Sequence, residues 1–427
     1  MKNLTFLIPL ICISIFSCKP DSLVSEKEIL GIIALNSPSP LEIINQKDLE
    51  FWGKRMELDP SRESNAIRYA NTLADRFHLY GNIDDLIKAN TIIEAIHLQN
   101  NGKEAGINRN LATFSSLRHR FKEADTYCQT AFEIGENRYA SELQLFDTAF
   151  ELGNIATAKT LLKRLKKKYE YAYFFRLSKM YHYEGEIEKA RDAMQKAVDY
   201  SYGNVALAQV ALSNLADLCL HDGDFAAATQ NYKKSLMLDG ADFHSIVGLG
   251  VVAMYNDKNL KLAKQLFEYV KSRSQSPDIY LKLLHYAQEI GDKNLEKKYA
   301  VAFVEKVKNP IYGDMYNKYL IELYDGILND NKEMLKIAQR EQLNRKTPQT
   351  NCWNAWALYK NKQTQKALKI YQNEISGYPL EGLELYFMGK MMLKEKKKYN
   401  AKNYFEAAYK NKFDLDPSKR KELETLI

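Results

Sequence analysis

An alanine, or at one position a leucine, recurs along this chain at intervals of 32 to 38 residues. This interval restricts the fold more than any other feature of the sequence. The first six positions are separated by 38, 34, 32, 38 and 35 residues. A further 104 residues, or three units of similar length, separate the sixth position from the seventh. These positions are Leu86, Ala124, Ala158, Ala190, Ala228, Ala263, Ala367 and Ala401. Self-similarity at such a period is typical of repeat proteins, whose units stack side by side.

The residues that flank each repeated position predict a helix–turn–helix unit. In the stretch from Tyr183 to Tyr200, Gly185 precedes Ala190, and Met194 and Ala197 follow it by four and seven residues. Residues at i, i+4 and i+7 share one face of a helix. A glycine inside a helix costs about 1 kcal/mol relative to alanine, so Gly185 is expected at the turn before the second helix.

This pattern resembles the tetratricopeptide repeat (TPR) family. The resemblance extends over residues 62–410, is strongest in "FFRLSKMYHYEGEIEKARDAMQKAV" and "LSNLADLCLHDGDFAAATQNYKKSLMLD", and is weakest over residues 280–344. It implies an all-α, right-handed α-solenoid of about ten TPR-like helix-turn-helix repeats. Ser39 with Pro40, and Asp416 with Pro417, are typical helix starts. We therefore expect an N-terminal capping helix in residues 40–61 and a C-terminal capping helix in residues 411–427.

The first residues predict an export signal rather than part of the fold. A basic Lys2 precedes an apolar run that is too short to span a bilayer comfortably, and the run ends in "IFSC" at Cys18. This ending resembles the lipobox of a bacterial lipoprotein, although Phe16 departs from the usual small residue. The resemblance implies a signal peptide at residues 1–17, lipid on Cys18 and a tether over residues 18–39, part of which is expected to dock. An ordinary secretory signal is the alternative.

The composition and the motifs give no support for a nucleic-acid partner, a metal or cofactor site, or catalysis. A net charge of +7, from 61 basic and 54 acidic residues, is too small and too dispersed to favour nucleic acid, so no nucleic-acid partner is expected. Five scattered cysteines contain no CxxC pair, and the seven histidines do not supply a full ligand set. "GLGVVA" at residues 248–253 fits a dinucleotide fingerprint but falls inside a predicted repeat helix. We therefore expect no catalytic residue, cofactor or metal.

The TPR resemblance also implies where a ligand would bind. In that family the first helices of successive repeats line a concave groove that holds a partner segment. The groove residues implied here are Phe175, Lys179, His182, Tyr183, Asp217, His221 and Tyr255.

Together these features predict a non-enzymatic, lipid-anchored scaffold of the bacterial cell envelope, at the outer membrane. It would bind a protein or peptide partner in its groove and the membrane through its lipid; its membrane face and oligomeric state stay open. The alternative is a glycan- or nutrient-binding lipoprotein of the SusD type. In that case Trp353 and Trp356, three residues apart on one helix, would stack on sugar; core packing is the other interpretation.

Overall fold

The computed structural model describes residues 22–166 and 170–427, and all regular structure in these ranges is helical. The predicted signal peptide, residues 1–17, and Cys18 lie outside the described residues. The α-helices are α1 (Glu26–Leu35), α2 (Pro40–Leu58), α3 (Glu63–Tyr80), α4 (Ile83–Gln99), α5 (Ala105–Leu117), α6 (Phe121–Ile134), α7 (Arg138–Glu151), α8 (Ile155–Leu165), α9 (Glu170–Tyr183), α10 (Ile187–Asp199), α11 (Val205–His221), α12 (Phe225–Leu238), α13 (Phe243–Tyr255), α14 (Leu260–Arg273), α15 (Asp278–Ile290), α16 (Lys293–Val307), α17 (Asn317–Asp325), α18 (Asn331–Asn344), α19 (Pro348–Lys360), α20 (Thr364–Ile370), α21 (Gly382–Lys394), α22 (Lys398–Lys410) and α23 (Pro417–Leu426).

Helices α3 to α22 form ten consecutive helix pairs, from α3–α4 to α21–α22, and the two helices of each pair pack together. The predicted all-α solenoid of about ten repeats is confirmed. The weakly matching region 280–344 contains α17–α18, most of α15–α16 and a short 3-10 turn at Pro310–Tyr312. Helix α20 continues into a π-helical turn at Tyr371–Ile375.

The repeated small residues are the contact points between the helices of a pair. All eight positions from Leu86 to Ala401 are at most 1% exposed. At Ala190 the two helices come close enough for the Ser178 hydroxyl on α9 to donate a 2.7 Å hydrogen bond to the Ala190 carbonyl on α10. Gly185 lies in the turn with a φ of 77°, a left-handed conformation that glycine adopts without strain.

The glycines of "GLGVVA" also serve close packing. Gly248 and Gly250 lie within α13. A Cβ added at Gly248 would be 2.6 Å or less from three ring atoms of Tyr232, and one at Gly250 would be 2.5 Å from the ring of Phe267. Since the dinucleotide fingerprint needs a strand before it and a turn at the helix start, this stretch does not have the required context.

Distant repeats contact each other and close the superhelix upon itself. The Gln275 amide donates to the Tyr80 carbonyl at 2.7 Å, and the Asp314 amide donates to the Arg118 carbonyl at 3.1 Å. Arg345 forms an ion pair with Glu151 at 2.9 Å. Each contact joins residues almost 200 positions apart, so the concave faces enclose a lumen rather than an open groove.

The segment before the solenoid packs against it in its described part. The amides of Leu23 and Val24 donate to the Asp257 carboxylate at 3.1 and 2.9 Å. Helix α1 then packs on α12, with Lys233 and Glu28 paired at 2.6 Å. The physical reason is burial of apolar side chains, because Ile29, Ile32 and Ile33 are all at most 8% exposed.

The C-terminal helix packs inside the solenoid. Within residues 411–427 only α23, Pro417–Leu426, is α-helical, and Asp416 caps it by accepting from the Lys419 amide at 2.8 Å. Helix α23 packs on α15 across the lumen, with Leu423 fully buried. No helix in the described ranges combines the length and apolar character needed to cross a membrane.

Candidate functional site

Two adjoining cavities occupy the lumen. The wide cavity, of about 1170 Å³, lies between the ends of α7, α9 and α11 on one side and α17, α19 and α21 on the other. The narrow cavity, of about 700 Å³, lies between α13, α15, α17, α21 and α23. His182, Lys318, Tyr319 and Glu381 line both cavities. Ligand pockets commonly measure about 300–1,000 Å³, so the narrow cavity is within this range and the wide cavity exceeds it.

Five of the seven groove residues implied by the TPR resemblance line these cavities. Lys179, Tyr183 and His221 line the wide cavity, Tyr255 lines the narrow one, and His182 faces both. The structure therefore brings residues of three consecutive repeats to one lumen.

Phe175 and Asp217 do not line either cavity. Phe175 is half-buried and stacks on Tyr171, with ring centroids 5.9 Å apart. Asp217 accepts a 2.6 Å hydrogen bond from the Tyr232 hydroxyl and pairs with His244 Nε2 at 2.7 Å. The Asp217 carboxylate raises the pKa of His244 to about 9, so this is an ion pair at neutral pH. Phe175 therefore packs against a neighbouring ring, and Asp217 forms an ion pair between helices.

At the mouth of the wide cavity, an ion-pair network holds Lys179 in place. Lys179 lies 2.6 Å from Glu151 and 4.6 Å from the centroid of the Phe150 ring. Burial of Glu151 opposes its ionisation, but Lys179 and Arg345 together hold its pKa below the ordinary value. Tyr183 packs edge-on against Phe150, with ring centroids 5.6 Å apart. Lys179 and Tyr183 are thus fixed in orientation at the cavity wall.

His182 and His221 lie in contact, with ring centroids 4.9 Å apart. His221 Nδ1 donates a 2.7 Å hydrogen bond to Asp414, which comes from the short segment before α23. Burial disfavours the charged form of His221, but the Asp414 carboxylate outweighs it and raises the His221 pKa. Burial lowers the pKa of His182, and charged His221 lowers it further. His221 therefore stays charged to a higher pH than His182 does. Within the described residues, no group of three or more His, Cys, Asp or Glu could hold a metal.

The partition between the cavities consists of residues that the sequence analysis did not single out. Lys318 on α17 lies 3.1 Å from Glu381 beside α21. Lys318 lowers the pKa of Glu381, whereas burial raises the pKa of nearby Glu384. Lys318 comes from the weakly matching residues 280–344, whereas Glu381 and Glu384 lie at the start of α21. The sequence signal that could have indicated this site is the pair Glu381 and Glu384, two charged residues three positions apart at the start of an otherwise apolar helix.

The two tryptophans are core residues, which confirms the packing interpretation. Trp353 and Trp356 are 4% and 2% exposed. Trp356 is stacked with Phe387, with ring centroids 5.3 Å apart, and the indole N–H of Trp353 donates to Glu384 at 2.6 Å. Neither ring offers a free face on which a sugar could stack.

The chain's own C-terminal helix fills one side of the narrow cavity. The Arg420 guanidinium lies 3.8 Å from the centroid of the Tyr255 ring. Lys419 pairs with Asp416 at 2.5 Å and with Glu322 at 3.1 Å. Burial raises the pKa of Glu322 to about 7. Tyr255 is therefore already covered by the chain's own Arg420.

The stacked helix pairs define an all-α solenoid with a TPR-like fold. Solved structures with a similar overall arrangement include a human IFIT1 dimer with PPP-AAAA, at 11% identity and a TM-score of 0.46 over 73% of this chain and 72% of that one. A human IFIT1 dimer with m7Gppp-AAAA has 11% identity and a TM-score of 0.48 over 77% and 76% of the two chains. No protein-family model matches the sequence, and no curated protein matches it.

The expectation that nucleic acid is excluded as a partner is wrong. The similar IFIT1 structures hold triphosphate-bearing and capped RNA, which contradicts that exclusion. The physical reason is that the net charge of a whole chain does not give the charge of the residues that line its lumen. A net charge of +7 therefore gives no ground for the exclusion.

Proposed function

We propose that the protein is a non-enzymatic scaffold that holds an extended segment of a partner protein in the wide cavity, and that lipid on Cys18 anchors it to the bacterial outer membrane. The observation that carries the binding proposal is the wide cavity itself, at whose mouth Lys179 and Tyr183 are fixed beside Phe150. A volume of about 1170 Å³ is above the common range for small-molecule sites and suits several residues of an extended chain.

The aromatic residues of this cavity support a protein segment as the ligand. Tyr183, Phe150, Tyr319 and Tyr378 line it, and Tyr378 is 54% exposed. Tyrosine is enriched among the residues that dominate the energy of protein interfaces, because it buries a large area and still forms a hydrogen bond. Two prolines, Pro348 and Pro379, add rigid apolar surface.

The anchoring proposal rests on the "IFSC" ending at Cys18 and is supported by the position of the first described residues. The Ser22 hydroxyl donates to Asp257 at 2.7 Å, at the end of α13. Four residue steps separate Cys18 from Ser22, and an extended chain spans at most about 3.6 Å per step. A lipid on Cys18 would hold that edge of the solenoid within about 15 Å of the bilayer surface. Labelled fatty acid should enter the wild-type chain and not Cys18→Ala, and equal labelling would refute the anchor.

The binding proposal is tested by photo-cross-linking from within the wide cavity. A photo-reactive phenylalanine replaces exposed Tyr378 in the full chain, and a second variant carries it at Tyr202, which is 74% exposed and outside both cavities. We expect a partner segment cross-linked from position 378 and absent from position 202.

Affinity for a synthetic copy of that segment should then fall about tenfold or more in Tyr183→Ala. Phe175→Ala is the matched control, because Phe175 does not line the cavity. If Tyr183→Ala binds the segment as tightly as the wild type, the wide cavity is not the binding site.

A further inference from the structure

The carboxylates that line the wide cavity differ in whether they have an ion-pair partner. Six carboxylates line the cavity among the described residues, and five of them form an ion pair with a lysine or arginine within 4 Å. The sixth, Glu384, forms none. The five paired residues are Glu151, Glu184, Asp222, Asp314 and Glu381.

Glu384 is fully buried, in the first turn of α21. Its Oε1 accepts the 2.6 Å hydrogen bond from the indole of Trp353, which fixes the carboxyl group in orientation. Its Oε2 is buried without any hydrogen-bond partner. An unsatisfied buried polar atom costs about 1–3 kcal/mol, so this oxygen marks a place where a hydrogen-bond donor is missing.

The charges around Glu384 favour a cationic donor. The charge of Lys318 acts on Glu384 and lowers its pKa, but Lys318 is already paired with Glu381 at 3.1 Å. Lys179 and Arg345 lie in the same cavity but are paired with Glu151. An ionised Glu384 would therefore be the one carboxylate of the lining left without a counterion.

The ring of Tyr319 also lines the cavity. Aromatic rings attract ammonium and guanidinium groups within about 6 Å, which favours the same class of ligand group.

We propose that the partner segment held in the wide cavity inserts a lysine or arginine side chain whose charged head binds Oε2 of Glu384. This inference rests on the proposed function and adds the chemistry of the partner. The cationic head would donate to the unpartnered oxygen and supply the missing counterion. The aliphatic stem of the side chain would pack along the apolar wall of the cavity.

Proton linkage supports this assignment. Burial raises the pKa of the Glu384 carboxyl, and the groups that face it are Lys318 from α17, Cys352 and Trp353 from α19, and Glu381 from the start of α21. Binding a cation favours the ionised carboxylate and so expels its proton. Affinity for a basic segment should therefore rise with pH until Glu384 is ionised in the free protein.

The test uses four synthetic peptides of the form acetyl-Gly-Tyr-X-Tyr-Gly-amide, in which X is lysine, arginine, leucine or glutamate. Their affinities for the full chain are measured by titration calorimetry. Glu384→Gln keeps the side-chain shape and an acceptor for Trp353 but removes the charge. Glu184→Gln is the matched control, because Glu184 lines the same cavity and is paired with Lys159 at 2.6 Å.

We expect the lysine and arginine peptides to bind the wild type about tenfold more tightly than the leucine peptide. Glu384→Gln should remove this preference, and Glu184→Gln should keep it. The inference is overturned if the wild type shows no preference, or if Glu384→Gln keeps it with an unchanged melting temperature. Equal binding of all four peptides that Tyr183→Ala weakens would refute the basic side chain and leave the proposed function standing. Absence of any binding at millimolar peptide would contradict both.

Discussion

Replacement of Gly248 by alanine separates a packing role for "GLGVVA" from a nucleotide-binding one. The new methyl group would be 2.6 Å or less from three ring atoms of Tyr232. Carbon atoms pack best at about 3.5–4.0 Å, so either the ring or helix α13 must move by about 1 Å. Tyr232 is 1% exposed and its hydroxyl donates to Asp217 at 2.6 Å, which leaves the ring no free space.

The magnitude follows from three contributions. Overpacking of a well-packed core costs about 1–3 kcal/mol. Loss or distortion of the Tyr232–Asp217 hydrogen bond, whose acceptor is charged, adds about 1.5–3 kcal/mol. The higher helix propensity of alanine stabilises the variant by about 1 kcal/mol at most and so offsets part of this cost. We therefore expect Gly248→Ala to lower the free energy of unfolding by about 2 kcal/mol or more.

The assay is urea unfolding followed by circular dichroism at the helical band. Gly31→Ala is the control, because Gly31 also lies inside a helix and a Cβ there would meet nothing within 4 Å. That control should be neutral or slightly stabilising, since only the propensity term applies. If Gly248→Ala is as stable as Gly31→Ala, the helices α12 and α13 are not as close as described, and the packing role of these glycines is refuted.

Two further predictions concern the repeats and the closure of the lumen. Ala190→Phe should lower the free energy of unfolding by about 1–3 kcal/mol or more, because Ala190 is fully buried where α9 and α10 touch; an unchanged melting temperature would show that the repeat register is wrong. The His221–Asp414 pair should stabilise the fold fully below about pH 6.5 and progressively less as pH rises through the raised pKa of His221. Melting temperatures of the wild type and Asp414→Asn should therefore converge at alkaline pH, and a constant difference would contradict this reasoning.

The repeat architecture could be predicted because each unit carries its own local signal. Ala190, Met194 and Ala197 lie at the spacing of one helix face, and Gly185 marks the turn before them. Such signals depend on residues a few positions apart, so they do not require knowledge of the rest of the chain. Where the repeated position does not hold a small residue, as at Glu296, the register of the repeat could not be assigned from the sequence. Glu296 is nevertheless buried and paired with Lys293 at 2.8 Å.

The candidate site was only partly predictable because it depends on contacts between distant repeats. The resemblance implied His221 and Tyr255 as groove residues, but nothing near them indicated that Asp414 and Arg420 would cover them. These partners lie more than 160 positions away, and their approach is set by the pitch of the whole solenoid. Glu384 was missed for the same reason, because its significance is the absence of a partner in the assembled lumen.

Closure of the superhelix changes how a TPR-like solenoid of this length can bind. An open groove would let a segment run along all first helices, but α23 crosses the lumen and holds Glu289 and Glu322 through Arg420 and Lys419. A segment that enters between α9 and α21 therefore meets the Lys318–Glu381 pair as the floor of its site. The length of segment that can be held is then limited by the wide cavity alone. A short sequence with one basic side chain reaching Glu384 meets that limit, and a long amphipathic helix does not.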